Sequence, residues 1–299
     1  MILLAFISMS LAWSFSWFAM KLQVDSLVPP ELSVFYRFAF TSLLMFALCF
    51  FAKQRTWLRR KEINFFLFIG LTNFFLNFVI GYFAVHYIPS GVIATIFSLS
   101  IITSEIISSF VDRRKIEKKV IVSSVLGVIG LMIFILPTIH FGEKADAIKT
   151  LTGIGMSLVM MLVFSAGSVA VGKNRQVNGT PLYTSIAFGS AFGSLYLLLF
   201  NLLRGNEFIF DSSAKYLWSF AYLVVVASVV AFICLFYLIQ HVGSTRANYT
   251  ALVYPVIALI TSALLENFEF KILSVVGLVM ILLAIAIEFA PSGKKYLRR

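Results

Sequence analysis

The sequence predicts an all-α polytopic membrane protein, with ten transmembrane helices set out as two inverted five-helix repeats. Three observations predict it. Hydrophobic residues fill 60% of the 299 positions and charged residues only 12%, where soluble domains carry about 25% charged residues. Ten segments each offer the roughly 20 predominantly apolar residues that a bilayer crossing needs. The layout of the first five recurs in the second five. Five is odd, so the second copy enters the membrane upside down relative to the first.

The expected spans are Ile2–Met20, Leu32–Ala52, Ile63–Val85, Ser90–Phe110 and Val120–Leu136, then Leu151–Val171, Tyr183–Leu203, Lys215–Ile239, Ser244–Leu265 and Phe270–Phe289. Each is continuously apolar, which selects helices over the alternating strands of a barrel. The first lacks a basic stretch ahead of it and reads as a retained span, not a cleaved signal peptide. His86–Pro89 and Gln240–Gly243 are the tightest connectors, so spans 3 and 4, and spans 8 and 9, form antiparallel hairpins. Pro137–Thr150 is the longest polar stretch and reads as the linker between repeats. The repeats are thus residues 1–140 and 151–291, and 292–299 form a basic tail.

The duplication is visible by offset. A shift of 154 residues lays Ser90 on Ser244, Ile106 on Ile260, Ser108 on Ser262 and Asp112 on Glu266. A shift of 152 brings Lys21 onto Lys173, and a shift of 150 brings Gly127 onto Gly277.

The formal charge is +11, and its placement explains it. Sixteen Lys and Arg residues fall in one alternating set of connectors: Lys53 to Lys61, Arg113 to Lys119, Lys173 with Arg175, and the tail. Six fall in the other set: Lys21, Lys144, Lys149, Arg204, Lys215 and Lys271. The richer side is expected in the cytoplasm, with both termini. The charge is a topology signal, so no nucleic-acid partner is expected. The bilayer and a small-molecule substrate are the expected partners. A homodimer is compatible with the sequence, which does not demand one.

Three local patterns carry a family resemblance. The first span ends Ala12-Trp13-Ser14-Phe15-Ser16-Trp17-Phe18-Ala19-Met20-Lys21. The second opens Phe35-Tyr36-Arg37-Phe38. The ninth reads Tyr254-Pro255 and closes on Leu265-Glu266. With the duplicated layout, these resemble the EamA-like branch of the drug/metabolite transporter superfamily over nearly the whole chain. The resemblance implies a central cavity lined by spans 1–4 and 6–9, with spans 5 and 10 as outer supports. It implies alternating access for a small metabolite in the inner membrane of a bacterium, without naming the substrate. In the first repeat Ile101 stands where Pro255 stands in the second, so span 4 is expected to be the straighter.

Glu105, inside span 4, is the sharpest single candidate, because a carboxylate there costs about 2.5–3.5 kcal/mol on insertion scales. It is a candidate proton carrier or amine ligand on the face of Ser98 and Ser109. The bland alternative is contact with water near the basic loop. Arg37, inside span 2, suits a substrate carboxylate or a gate, or else snorkels. Asn73 and Asn77 sit one turn apart on span 3 and suit a polar substrate or helix–helix bonding. Asn248 is the choice on span 9, since Thr250 faces away from it. Trp13 and Trp17 stack one turn apart on span 1 as an aromatic wall or as packing. Ser185, Gly189 and Gly193 form a row suited to close helix contact.

Other chemistry is poorly supplied. Cys49 and Cys234 sit in apolar runs and read as small core residues. His86, His140 and His241 have no metal-ligand spacing. Asp25, Asp112, Asp146 and Asp211 are all expected in loops. No Walker-type loop or His-Glu-x-x-His motif occurs. No cofactor is expected, and the chain reads as a non-enzyme. The expected function is secondary transport, as exporter or exchanger, of a small polar or amphipathic metabolite such as an amino acid or derivative. A lipid or lipid-linked sugar translocase is the alternative within transport, and an intramembrane lipid-modifying enzyme is the alternative outside it.

Overall fold

The computed structural model describes residues 1–138, 144–242, 250, 253–266 and 271–289. Among these the chain is helical and holds no strand. In a bilayer every backbone N–H and C=O must bond within its own segment, and only a helix of this composition does so. Eight helices are long and apolar enough to cross: α1 (Ile2–Val24), α2 (Pro30–Phe51), α3 (Arg60–Ala84), α4 (Ser90–Val111), α5 (Lys118–Ile135), α6 (Lys144–Asn178), α7 (Leu182–Leu203) and α8 (Ala214–Leu238). Two shorter apolar helices follow, α9 (Tyr254–Leu265) and α10 (Ile272–Phe289). The protein is an integral membrane protein.

Local sequence sets several boundaries. Pro29, Pro89 and Pro181 stand at the N-caps of α2, α4 and α7, where a missing N–H costs nothing. The Ser213 hydroxyl caps α8 by accepting from the Tyr216 N–H at 3.3 Å. Gly205 follows α7 with φ of 69° and Lys53 follows α2 with φ of 51°, the left-handed turn that ends many helices.

One expectation needs correction. Pro137–Thr150 reads as a linker, but α6 already begins at Lys144. Asp146 therefore lies in its first turn and not in a loop. A carboxylate is favourable at a helix N-terminus, and Lys149 pairs with it at 3.6 Å.

Helices α3 and α8 share a distortion. Gly70–Leu76 of α3 and Tyr222–Val230 of α8 are wound as π-helix. Helix α4 is interrupted at Leu99 despite having no proline there. Hydroxyls compete for the carbonyls on both sides of the break. Ser98 bonds Thr95 O at 2.6 Å, and Thr103 bonds Ser100 O at 3.1 Å.

Helices α5 and α10 pack chiefly on each other. Their backbones meet at Gly130 and Gly277, where a Cβ on Gly277 would strike Phe134 and the Gly130 carbonyl. The other described helices form the main bundle. α2 lies along α7, α4 along α9, α1 against α8 and α9, and α6 against α3 and α4. Large apolar side chains such as Leu43, Val125, Met132, Leu199 and Val279 face outward, as the surface of a membrane protein requires.

The connectors group at two ends. Arg55, Glu62, Asp112, Lys173 and Thr180 interact at one, termed the basic end. At the opposite end Glu31 meets Arg204 and Asn206, and Glu266 meets Ser90.

Candidate functional site

A cavity lies in the middle of the bundle, walled by six helices. α1 contributes Trp13, Ser16, Trp17 and Met20, and α2 contributes Arg37. Asn77, Phe78 and Gly81 come from α3 and Phe97 from α4. Met160 and Phe164 come from α6 and Phe232 from α8. Its volume is about 40 Å³, room for a few waters only. A metabolite would need the aromatic walls to swing aside.

Arg37 is 3% exposed. Its Nε donates to Ser228 Oγ at 2.9 Å, and its guanidinium lies over the Phe78 ring at 4.5 Å. Among the described residues no carboxylate pairs with it. Burying a cation with no counter-ion costs free energy, which the Ser228 hydroxyl and the Phe78 ring offset in part and an anionic ligand would offset further. The π-helical turn of α8 helps to place it. That turn carries Ser228 to Arg37 and the Ala227 carbonyl to Trp13, whose Nε1 donates to it at 3.3 Å. Such π-segments recur where a helix must present groups that a regular turn would hide.

Two further polar atoms are buried without partners. The Asn77 Oδ1 acceptor and the Trp17 Nε1 donor have none, and both residues line the cavity. The rest is aromatic. Trp13 makes edge contacts with Phe164 and Phe232, each at 6.1 Å. Trp17 meets Phe97 at 5.4 Å.

Three of the expected site residues, Trp13, Arg37 and Asn77, therefore meet at one place. Asn73 does not line this cavity. It accepts from the Thr72 hydroxyl at 3.2 Å and presses its carboxamide oxygen where a Cβ on Gly167 of α6 would lie. Glu105 also lies apart, at the basic end, where it pairs with Arg114 at 2.6 Å. The break at Leu99 separates it from Ser98, whose hydroxyl faces its own helix. Asn248 and His140 lie outside the described residues.

Sequence reasoning passed over Ser228 and Phe232. Both sit in an apolar run, Ser228 inside the π-turn and Phe232 in the regular turn that follows it. The family resemblance put span 6 on the cavity wall, but its lining residues Met160 and Phe164 went unnamed, since they carry no polar signal. Among the described residues no group of three His, Cys, Asp or Glu side chains could hold a metal ion.

The architecture is that of a helical membrane protein with a central, largely aromatic pocket that holds a buried arginine, and comparison with known proteins places it more narrowly. The family model for the EamA-like transporter family matches residues 1–136 and again residues 153–289. The chain belongs to that family and is a transporter. An uncharacterized transporter of Clostridium kluyveri is 24% identical over 212 residues, covering 71% of this chain and 67% of that one. One from Buchnera aphidicola is 24% identical, covering 86% and 83%. The transporter YoaV of Bacillus subtilis is 21% identical and covers 94% of each chain. A solved structure described as a crystal structure of protein superposes with a TM-score of 0.69 at 15% identity, over 95% of this chain and 94% of that one, which speaks for the fold alone.

Proposed function

We propose that this transporter moves a small amphipathic metabolite bearing a carboxylate, such as an amino acid or derivative, by alternating access between two inverted repeats. It works as an exporter or exchanger in a bacterial inner membrane, with the basic end in the cytoplasm. The carrying observation is Arg37: a buried guanidinium that no carboxylate pairs with among the described residues, on the wall of a central aromatic cavity. Guanidinium binds carboxylate through two parallel hydrogen bonds. The vacant Asn77 oxygen then suits a donor on the substrate, and the rings suit an apolar body.

The repeat reading draws support from two matches to one family model, and from π-segments in the third helix of each half. Helix partners also exchange evenly between the halves, with α1 on α8 and α6 on α3. Enclosure by six helices favours a soluble solute over a lipid-linked sugar. With Arg37 as the one charged lining group among the described residues, the cavity lacks the acid–base pair an enzyme would need. Glu105 remains the candidate proton carrier. It pairs at 2.6 Å with Arg114, which also reaches Asp112 and Ser108. Unchanged rate and pH dependence in Glu105→Gln would remove it from that role.

The test is thermal unfolding of the purified protein in detergent against amino acids, their decarboxylated amines, sugars, nucleosides and polyprenyl phosphates. A ligand at about 100 times its Kd adds roughly 2.7 kcal/mol to stability. The expected result is a rise in Tm with a carboxylate, lost with its amine and lost in Arg37→Gln. Equal stabilisation by acid and amine overturns the reading, and a rise with the polyprenyl phosphates alone selects the lipid-linked translocase.

A further inference from the structure

The two ends of the bundle hold the same pair of charges in different states. At the basic end Asp112, closing α4, is ion-paired with Lys173 of α6. Arg114 joins it at 3.6 Å and Ser108 at 3.4 Å. The duplication maps Asp112 onto Glu266, Ser108 onto Ser262 and Lys173 onto Lys21. Ser262 does bond Glu266, at 3.2 Å, as Ser108 bonds Asp112. The matching ion pair, however, is not made. Lys21 turns instead to Asp25, one turn along its own helix, at 2.6 Å. Glu266 takes the N–H of Ser90 at 2.9 Å and its hydroxyl. Between Lys21 and Glu266 lies a cleft of about 510 Å³, which both residues line. Its walls continue those of the central cavity, since Met20 and Gly81 line the cavity while Lys21 and Val85 line the cleft.

We infer that Lys21 and Glu266 are working residues of the transport cycle: they pair to close the opposite end, in the same step that parts Asp112 from Lys173. This rests on the inverted-repeat reading above. Asp25 is the element that holds the cleft open, because it occupies Lys21 in the state described. Its offset counterpart in the second repeat is Val177, so Lys173 has no carboxylate one turn along its own helix. The exchange is therefore built unevenly. Lys21 trades one carboxylate for another, whereas Lys173 trades a carboxylate for water. The other titratable groups facing the cleft are His86, Tyr87 and Lys215. Lys215 is the rival partner for Glu266.

The experiment reads cleft opening without any substrate. Leu22 lines the cleft, and Leu22→Cys is placed in a Cys49→Ala, Cys234→Ala background whose folding is checked by its melting curve. If that background fails to fold, Cys49 is kept, since it is buried, and only Cys234 is replaced. The rate of labelling by a membrane-impermeant thiol reagent is then measured in liposomes. Asp25→Asn frees Lys21 and is expected to slow labelling about threefold, the population shift that one solvent-exposed ion pair typically gives. Lys173→Gln, which weakens the basic end, is expected to slow it as well. Adding Lys21→Gln or Glu266→Gln to Asp25→Asn should restore the parent rate, and adding Lys215→Gln should not. Labelling unchanged by Asp25→Asn, or restored by Lys215→Gln instead of Lys21→Gln, overturns the inference. Should labelling follow this pattern while no carboxylate crosses the liposome, the gate stands and the proposed substrate falls.

Discussion

Arg55 and Glu62 show what a charge must have around it inside this molecule. Both side chains are buried, and they pair at 2.6 Å. The Thr180 hydroxyl donates to the second Glu62 oxygen at 2.6 Å, and Asn174 donates to Thr180 at 2.8 Å. The cluster ties the α2–α3 connector to the start of α7, where Thr184 donates to the Arg55 carbonyl at 2.7 Å. Breaking a buried pair by removing one partner costs about 3–5 kcal/mol. Arg55→Ala is expected to lower Tm sharply, and Arg55→Ala with Glu62→Leu to recover part of the loss. A thermal melt of each in detergent checks this. Arg37 contrasts with it, for no such carboxylate accompanies it. Arg37→Gln should leave Tm unchanged or raised while abolishing stabilisation by carboxylates. The residue type at position 37 pointed to a ligand or a snorkel. Only its neighbours, Ser228 and the Phe78 ring, distinguish these, because they hold the guanidinium inward.

At the scale of the element, small residues and helix irregularities set the packing. Gly70 and Gly193 let α3 and α7 approach, with Phe74 seated against Gly189 and Gly193. The glycine row of α7 was legible from its spacing; that Phe74 fills it was not, because the π-turn rotates that ring. Gly277 admits no Cβ without displacing the α5 backbone at Phe134. Overpacking costs about 1–3 kcal/mol, so Gly277→Leu should separate α5 from α10 and lower Tm, while Gly155→Leu, where a Cβ meets open space, should not. The helix ends offer a second test. Lys53 has a left-handed φ of 51°, which disfavours a side chain by roughly 1 kcal/mol. Lys53→Gly is expected to raise Tm, and Gly205→Lys, with φ of 69°, to lower it.

For the whole molecule, the ion pair at the basic end sets a pH range over which that end should hold together. Asp112 is held below the usual carboxylate range by its bond to Lys173, against a smaller opposing effect of burial. Its folded pKa lies below the unfolded value, so the stabilisation it brings is present above that value, about 3.8. It is lost as pH falls through the folded pKa. The basic-end contact should therefore persist from neutral pH down to about 4. Labelling of a cysteine placed at Arg113, next to the pair, is expected to stay constant over that range and to rise in Lys173→Gln. A rise between pH 7 and 5 in the parent would contradict it.

Composition and the length of its apolar runs already dictated helices in a bilayer, because no other solvent accommodates so much apolar surface and no open strand survives there. The offset of Asp112 to Glu266 and of Lys21 to Lys173 was legible too, since both pairs are read directly from residue type and spacing. The centre was not. Arg37, Asn77 and Trp13 lie far apart in sequence, and what brings them to one cavity is the crossing of α1, α2 and α3 with a π-turn of α8. The same crossing leaves Asn73 against α6 and Glu105 with Arg114. Periodicity tells which face of a helix a residue occupies, but what that face meets depends on the other helices and on irregular turns that shift its register.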